Sequence, residues 1–397
     1  MGLNDVASGE RLHIGFYGMR NAGKSSLVNA VTGQELSVVS PVKGTTTDPV
    51  KKAMELLPLG PVVILDTPGL DDEGELGELR VKKTKEMLAK TDIAVLVIDS
   101  SAGESELDRL MADELRARKI PFVTVYNKAD LISERDKSDV IYTSSATGEG
   151  VEELKGKLGE FAKNAAPERY VVRDLLSAGD IVVLVTPIDE AAPKGRLILP
   201  QQMTLRDILD AHASAMVCQV DELAGVLSSL SRKPRMVITD SQAFGAVSKI
   251  VPDEVPLTSF SILMARYKGD LQTLVRGFSA LKELSDEDTV LISEGCTHHR
   301  QCNDIGRVKM PGWIEGFSGA KPKYEFTSGG EFPEDLSPYK VIVHCGGCML
   351  NETEMKNRMM RAKAAGIPMV NYGIAIAVMH GILERSVSLF PDILKFS

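Results

Sequence analysis

A glycine-rich run that ends in lysine and serine stands near the start of the chain, GMRNAGKS from Gly18 to Ser25. Glycines allow backbone N–H groups to turn toward phosphate oxygens, the lysine reaches the outer phosphates, and the serine hydroxyl binds magnesium. The run follows an apolar segment and precedes a helical one, which is the context that a phosphate-binding loop requires. The pattern predicts a nucleotide site in which Lys24 contacts the β and γ phosphates and Ser25 binds Mg²⁺.

Two further motifs belong to the same phosphate site. The run Asp66-Thr-Pro-Gly69 ends a second apolar segment, where the Asp66 carboxylate can hold magnesium through water and the Gly69 N–H can meet the γ-phosphate. The run Gly44-Thr-Thr-Thr-Asp48 lies between these motifs, in the place expected for a switch threonine on magnesium. Their order along the chain indicates phosphoryl transfer assisted by Mg²⁺.

The base of the nucleotide is indicated by two later motifs. In Asn127-Lys-Ala-Asp130 the Asp130 carboxylate can accept hydrogen bonds from guanine N1–H and the 2-amino group, a donor pair that adenine lacks. Ser144-Ser145-Ala146 is placed for backbone contact with the guanine oxygen. The five motifs occur in the right order along the chain and predict a GTP site. Its predicted contacts are Gly18, Asn21, Ala22, Gly23, Lys24, Ser25, Ser26, Asp66, Asn127, Lys128, Asp130, Ser145 and Ala146.

A second set of potential ligands lies far downstream. Four of the five cysteines lie beyond position 290, in the runs Cys296-Thr-His298-His299 and His344-Cys345-Gly-Gly-Cys348 and at Cys302. Thiolates with nearby imidazoles suit either a zinc ion or an iron–sulfur cluster. The two glycines let the Cys-x-x-Cys loop turn both thiolates toward one centre. The pattern predicts a metal site of one of these two kinds.

Alternating strands and helices are expected to position both sites. Over the first 165 residues they are typical of a doubly wound parallel sheet, and the same order returns after about position 268. We therefore predict a P-loop GTPase domain (1–167) followed by two further α/β domains with mainly parallel sheets, 168–267 and 268–397. The predicted strands are Leu12–Tyr17, Val62–Asp66, Ile93–Asp99, Phe122–Asn127, Val140–Thr143, Ile181–Thr186, Leu197–Leu199, Met236–Thr239, Thr289–Ser293, Val341–His344 and Met369–Tyr372.

The middle segment carries a long apolar stripe. From Thr204 to about Leu230, apolar residues recur three and four positions apart, which predicts one amphipathic helix with Thr204 and Asp207 as its capping box. Such a helix either fills the core of a small domain or packs on a second subunit. We therefore expect a homodimer formed through residues 168–267.

Composition argues against nucleic-acid binding, secretion and membrane insertion. The formal net charge is −9, which argues against a general nucleic-acid surface. The N-terminal segment lacks the basic start and apolar run of a signal peptide, and no apolar run is long enough to cross a bilayer. Cysteines clustered in such a chain indicate metal or redox chemistry rather than disulfides. A cytoplasmic protein without nucleic-acid or membrane partners is expected.

The GTP motifs resemble those of the translation-factor-related GTPases, in particular the branch that contains Era and MnmE. The resemblance makes Thr46 the switch threonine on magnesium, so the expected catalytic residues are Lys24, Thr46 and Gly69, with Ser25 and Thr46 on the metal. Leu70 stands where Ras-like enzymes carry the glutamine that orients water. Asn21 matches the residue that helps to hold K⁺ in potassium-activated relatives, so slow, potassium-stimulated hydrolysis is expected; a simple turn role for Asn21 also fits.

The whole pattern, a GTPase segment followed by Cys-Thr-His and His-Cys-x-x-Cys, resembles the HydF family of FeFe-hydrogenase maturation GTPases. The resemblance implies a central dimerisation domain and a C-terminal domain that binds a 4Fe-4S cluster through Cys296, Cys345 and Cys348. It also implies a scaffold or carrier that receives a transient di-iron precursor from radical-SAM maturases and delivers it to apo FeFe-hydrogenase. The fourth ligand stays open among His298, His344, Asp304, Cys302 and water.

Two other functions fit the same residues. One is a tRNA- or ribosome-directed GTPase with a structural zinc site, against which the acidic charge balance argues. The other is a GTP-gated redox sensor in which Cys302 and the other thiols report oxidation. The sequence leaves open which transfer step GTP hydrolysis drives and how the di-iron precursor is bound.

Overall fold

The computed structural model describes residues 8–34, 50–67, 83–135, 140–165, 169–188, 197–295 and 305–393 of the 397-residue chain. These residues divide into two compact units, 1–168 and 169–397. Each unit consists of sheets flanked by helices, and the predicted α/β class with mainly parallel sheets is confirmed. No helix in these described ranges is both long and apolar enough to cross a membrane.

The first unit contains a six-stranded sheet in the order β2-β3-β1-β4-β5-β6. All its pairings are parallel except that of β2 with β3. The strands are β1 (Leu12–Tyr17), β2 (Val50–Leu56), β3 (Gly60–Asp66), β4 (Ile93–Asp99), β5 (Phe122–Asn127) and β6 (Ile141–Tyr142), and three helices are α1 (Lys24–Thr32), α2 (Glu106–Ala117) and α3 (Val151–Ala165).

Burial explains why the central strands were predictable and one edge strand was not. Six of the seven residues of β4 are buried, because helices cover both faces of a parallel sheet and the strand reads as a continuous apolar run. By contrast, β2 is an antiparallel edge strand in which Lys51, Lys52 and Glu55 face solvent. Its charged sequence hid it from a search for apolar runs.

The second unit contains two four-stranded sheets, in the orders β10-β9-β7-β8 and β12-β11-β13-β14. Every described pairing in both is parallel. One hydrophobic core includes residues of both sheets, from Val171 to Phe390. The boundary near position 268 lies inside this unit and stays a prediction. The strands are β7 (Ile181–Val185), β8 (Ser214–Cys218), β9 (Met236–Thr239), β10 (Leu257–Ser259), β11 (Thr289–Glu294), β12 (Lys323–Ser328), β13 (Val341–His344) and β14 (Met369–Asn371).

Short helices connect these strands. The ten helices of the second unit's described ranges are α4 (Leu199–Asp210), α5 (Leu223–Ser229), α6 (Phe244–Val247), α7 (Phe260–Lys268), α8 (Leu271–Arg276), α9 (Ser279–Lys282), α10 (Met310–Ser318), α11 (Glu352–Ala364), α12 (Tyr372–Met379) and α13 (Leu383–Ser386). A π-helical turn, Ile305–Lys309, precedes α10.

The predicted helix from Thr204 to Leu230 is wrong. Helix α4 ends at Asp210, His212 takes the left-handed conformation at φ 56°, and β8 follows in parallel register with β7. Some apolar residues in and after β8 happen to fall at helical spacing in the sequence. The strand nevertheless forms because it pairs with β7, and tertiary pairing overrides the sequence pattern.

The predicted capping box and the predicted strand before this helix are wrong as well. Thr204 lies inside α4 and its hydroxyl donates to the Pro200 carbonyl, whereas the Asp207 carboxylate accepts from the backbone of Val172 and Arg173. The predicted strand at 197–199 is wrong, because Pro200 stands in the first turn of α4, where proline favours a helix start.

Candidate functional site

The phosphate-binding loop lies between β1 and α1. Two of its glycines have positive φ, 143° at Gly18 and 87° at Gly23. A Cβ at Gly18 would stand 2.1 Å from the Val97 carbonyl oxygen, and one at Gly23 would stand 2.2 Å from Nδ2 of Asn127. Only glycine fits both positions, so the loop can lie flat against the strand ends with its N–H groups free to face phosphate.

The predicted magnesium ligands of the described part of the site lie together. The Ser25 hydroxyl donates to Oδ2 of Asp66 at 2.7 Å, and Asp66 is almost fully buried at the end of β3. Lys24 is buried as well, and its Nζ donates to the carbonyls of Gly18 and Met19 at 2.9 and 2.8 Å. The lysine charge, the serine hydroxyl and the aspartate carboxylate thus surround one loop, as binding of a magnesium-bound phosphate requires.

Asn127 joins the phosphate loop to the base motifs. Its Nδ2 donates to the Ala22 carbonyl at 3.0 Å, and its Oδ1 accepts from the hydroxyl and backbone N–H of Ser145 at 3.0 and 3.3 Å. The side chain is 1% exposed. A single buried amide therefore fixes the distance between the two halves of the predicted nucleotide site.

The guanine end is held by two further side-chain contacts. The Ser144 hydroxyl donates to Oδ1 of Asp130 at 2.5 Å, which orients a carboxylate that is otherwise exposed. Lys128, in the left-handed conformation, forms an ion pair with Asp99 at 2.6 Å. Burial would raise the pKa of Asp99, but hydrogen bonds from Lys128 and Ser101 outweigh it and keep that pKa below its ordinary value. Sequence reasoning missed Asp99, although an acid at the end of β4 shares the edge at which the other motifs lie.

Several predicted residues fall outside the described ranges. These are Thr46, Gly69 and Leu70 of the nucleotide site and Cys296, His298, His299, Cys302 and Asp304 of the cysteine site. Among the described residues, no group of three or more histidine, cysteine or acidic side chains is close enough to hold a metal ion.

A backbone N–H just after β11 donates to a cysteine sulfur of the Cys-x-x-Cys loop. Gly295, which precedes Cys296 in the chain, donates its N–H to Sγ of Cys345 at 3.0 Å, and Gly347 donates to the same sulfur at 3.3 Å. Gly347 has φ 63°, which lets the Cys-x-x-Cys loop curl. Backbone N–H donors stabilise a thiolate, and the sulfur of Cys345 accepts from two of them, at Gly295 and Gly347.

Cys348 lies on the same loop as Cys345, and both residues are half-buried. Burial raises the pKa of Cys348 to about 11, the neighbouring Cys345 adds to the rise, and the Lys268 ammonium opposes it. Neither cysteine forms a disulfide among the described residues. A thiol with a raised pKa is less ionised at neutral pH, and it must lose its proton before it can bind a metal.

Both ring nitrogens of His344 have hydrogen-bond partners within the protein. Its Nδ1 lies 2.7 Å from the Cys345 carbonyl, and its Nε2 lies 3.1 Å from a guanidinium nitrogen of Arg358. The carbonyl can only accept and the guanidinium can only donate, so Nδ1 carries the proton and Nε2 accepts. Both ring nitrogens of this fully buried histidine are therefore used within the protein.

Arg358 anchors the chain behind the cysteine loop. It is 2% exposed, forms an ion pair with Glu354 at 2.7 Å, and donates to the Gly329 carbonyl and the Ser293 hydroxyl. Its guanidinium also lies over the ring of Phe332. Sequence reasoning missed this residue, because Glu354 and Arg358 four apart on a helix read as an ordinary solvent-exposed pair.

Three family models match successive parts of the chain. Residues 13–128 match the model of the 50S ribosome-binding GTPase family. Residues 171–269 match the hydrogen maturase F dimerization domain, and residues 272–389 match the hydrogen maturase F tetramerization domain. The last two models together match more than half of the chain, and both descriptions indicate self-association.

Individual relatives match the N-terminal part. GTPase Der of Kosmotoga olearia is 32% identical over 170 residues, 38% of this chain and 38% of that protein. The tRNA modification GTPase MnmE of Legionella pneumophila strain Corby is 38% identical over 152 residues, 37% of this chain and 33% of that protein. The solved structure of Aquifex aeolicus Era is 19% identical with a TM-score of 0.36, over 52% of this chain and 91% of that one. The chain thus spans less than two fifths of the length of the Der and MnmE relatives.

The contact of Asn127 with the phosphate loop yields a prediction. In Asn127→Asp the donor to the Ala22 carbonyl is lost and a carboxylate replaces it, while an acceptor for Ser145 remains. We expect guanine-nucleotide affinity to fall about 5- to 150-fold, since a lost buried hydrogen bond costs about 1–3 kcal/mol. Titration with a fluorescent GDP measures the affinity.

The matched control is Ser100→Ala. The Ser100 hydroxyl donates to the backbone carbonyl of Asn127 at 2.6 Å and does not involve its side chain. This variant should bind nucleotide nearly as the parent does. Equal affinity of Asn127→Asp and the parent protein would show that the amide contact does not hold the site together.

Proposed function

Because this chain belongs to the hydrogen maturase F family, we propose that it is a GTP-hydrolysing scaffold that carries a di-iron precursor to apo FeFe-hydrogenase. The observation that carries the proposal is the hydrogen bond from Gly295, the residue before Cys296, to the sulfur of Cys345 in the second cysteine motif. Radical-SAM maturases would supply the precursor, with its carbonyl and cyanide ligands. The direct test is activation of apo-hydrogenase by this protein after coexpression with those maturases, and no activation would contradict the carrier role.

The first unit is a GTPase domain, and GTP with Mg²⁺ is its expected ligand. Within it we assign magnesium binding to Ser25 and Thr46, phosphate stabilisation to Lys24 and the Gly69 N–H, and selection of guanine to Asp130. The contact of Ser25 with Asp66 and that of Ser144 with Asp130 support the assignments for which the structure describes residues.

We further propose slow hydrolysis that potassium stimulates. Asn21 lies exposed in the phosphate-binding loop with φ 63°, a conformation that asparagine tolerates better than most residues. Its amide oxygen is a suitable ligand for a monovalent cation, and such a cation would neutralise charge that develops on the phosphates. Leu70 cannot orient the attacking water, which leaves the cation as the main additional source of stabilisation.

The potassium dependence is measured as GTP turnover in KCl and in NaCl at equal ionic strength. We expect faster turnover in KCl for the parent protein and loss of that difference in Asn21→Ala, since alanine keeps no ligand oxygen. Identical rates in the two salts, or an unchanged potassium response in Asn21→Ala, would leave Asn21 as a turn residue.

The second unit would hold a 4Fe-4S cluster through Cys296, Cys345 and Cys348. The described donors fit such a cluster, because Cys345 and Cys348 lie on one curled loop without a described disulfide, and Gly295, the residue before Cys296, donates its N–H to the Cys345 sulfur. When bound, the cluster would supply an iron to which the precursor can attach. The loop residues hold the thiolates and direct N–H donors at sulfur.

We propose that His344 is not the fourth ligand. Its two ring nitrogens already bond to the Cys345 carbonyl and to Arg358, and coordination would have to replace one of these bonds. The remaining candidates are His298, Asp304, Cys302 and water. A replaceable ligand such as water or imidazole suits a carrier better than a fourth thiolate, because it exchanges readily for the ligand of another metal fragment.

Cysteine variants test the cluster apart from the GTPase. Replacing Cys296, Cys345 or Cys348 singly with serine should remove most bound iron after anaerobic reconstitution, while GTP turnover changes little because the nucleotide motifs lie in the other unit. Iron and sulfide content with EPR of the reduced protein measures the first effect.

Cys302→Ser is the matched control and should keep the cluster. If it abolishes assembly instead, the site is closed by four thiolates and the exchangeable-iron idea fails. Stoichiometric zinc without iron in the parent protein would favour the tRNA- or ribosome-directed GTPase with a structural zinc site.

We propose that the chain forms a homodimer through β8. This strand lies at the edge of its sheet, and no described strand pairs with its outer side. Met216 is 39% exposed and Val217 41% exposed, and Leu209 on the preceding helix is also exposed. A bare edge with exposed apolar side chains is a common site of strand pairing between chains. The matched dimerization-domain model, which includes β8, supports self-association through this segment. The edge strand replaces the apolar stripe of the wrongly predicted long helix as the proposed interface.

Val217→Lys tests the interface. A charge on the edge strand should weaken pairing between two copies, so that light scattering at micromolar concentration gives a lower mass than for the parent protein. Leu110→Lys, on the exposed side of α2 in the first unit, is the matched control and should keep the parent mass. A monomeric parent protein, or an unchanged mass in Val217→Lys, would contradict the proposal.

A further inference from the structure

A second buried cation lies at the cysteine loop. Lys268 is the last residue of α7 and is only 2% exposed. Its Nζ donates to the carbonyl of Cys348 at 3.0 Å and to that of Leu350 at 2.7 Å. These two carbonyls belong to the turn that leads from the Cys-x-x-Cys loop into α11, so the lysine fixes the path of the loop just beyond a proposed ligand.

The packing around Lys268 holds the ammonium in place. A Cβ on the next residue, Gly269, would stand 3.0 Å from Sδ of Met359, which projects from α11. The end of α7 is thus pressed against the helix that follows the cysteine loop. Burying an ammonium costs several kcal/mol unless it is compensated, and here part of the compensation comes from carbonyl dipoles of the ligand loop itself.

The charge has a consequence for any anionic group at the loop. Opposite charges in a protein interior attract more strongly than in water, because the surrounding dielectric is low. A cluster held by thiolates becomes more negative when it is reduced, and its reduction potential depends on nearby charges and hydrogen bonds. An ammonium that donates to the carbonyl of Cys348 itself therefore favours the reduced form of a cluster bound there.

We propose that Lys268 is a positioning residue that orders the Cys348 loop and raises the reduction potential of the cluster bound there. The proposal rests on the cluster-binding function proposed above. Lys268 lies in the segment that matches the dimerization domain, whereas the carbonyls that it binds lie in the segment that matches the tetramerization domain. The self-associating segment thereby contributes a residue to the cluster site.

The test is an EPR-monitored redox titration of the reconstituted full-length protein. Lys268→Met removes the charge and keeps the length of the side chain. We expect the ratio of oxidised to reduced cluster at a given potential to rise at least tenfold. For a one-electron couple this corresponds to a reduction potential that is at least 59 mV more negative. Lys268→Arg keeps the charge and should retain the cluster with a much smaller shift.

The matched control is Arg385→Met. Arg385 is also a largely buried cation of the second unit that donates to backbone carbonyls, those of Val251 and Pro252 at 2.8 and 2.6 Å, and it should leave the potential unchanged. Three results would overturn the proposal. They are an unchanged potential in Lys268→Met with a full cluster, an equal shift in Arg385→Met, and cluster loss in both Lys268→Met and Lys268→Arg. Cluster loss confined to Lys268→Met would support the positioning role. A parent protein without iron would instead contradict the proposed function.

Discussion

Parallel strand pairing is the constraint on which both sites depend. When neighbouring strands run in the same direction, the loops that follow them leave from one edge of the sheet. In the second unit the register pairs Ser293 with His344, so Gly295, two residues after Ser293, and Cys345, the residue after His344, approach within hydrogen-bond distance. In the first unit the same geometry brings the ends of β1, β3 and β5 together around the phosphate loop. Parallel pairing thus makes neighbours of motifs that lie far apart in sequence.

Close approach at these edges depends on buried polar groups. Asn127 binds two loops through one amide, and Arg358 and Lys268 bind the backbone and side chains around the cysteine loop. Such groups lose hydration on burial and stabilise the fold only when they are bonded as these are. Their bonds have direction, so they specify one arrangement of the loops where apolar packing alone would allow several. The rigidity of the two sites arises from this directionality.

The sequence predicted what depends on short-range patterns. Runs such as Ile93–Asp99 are continuous and apolar because parallel strands are covered on both faces, and the glycines of the phosphate loop have no substitute at their φ angles. It failed where tertiary pairing decides: β8 was read as helix and β2 was missed. Arg358 and Lys268 could not have been found, since a charged residue in a helix normally faces solvent and only the packed structure shows that these two do not.

The hydrogen bonds of Asn371 have a practical consequence for dividing the protein. Its amide donates to the backbone and hydroxyl oxygens of Ser261, and that hydroxyl also accepts from the Gly373 N–H. A fragment beginning near position 270 would keep all five residues of the cysteine loop but lose Ser261 and Lys268. It would also uncover apolar side chains that the first of the two sheets now covers. Expressed alone, such a fragment would hold the cysteine loop more loosely and expose apolar surface that the intact chain covers, so its metal content and its mass would not represent the intact protein.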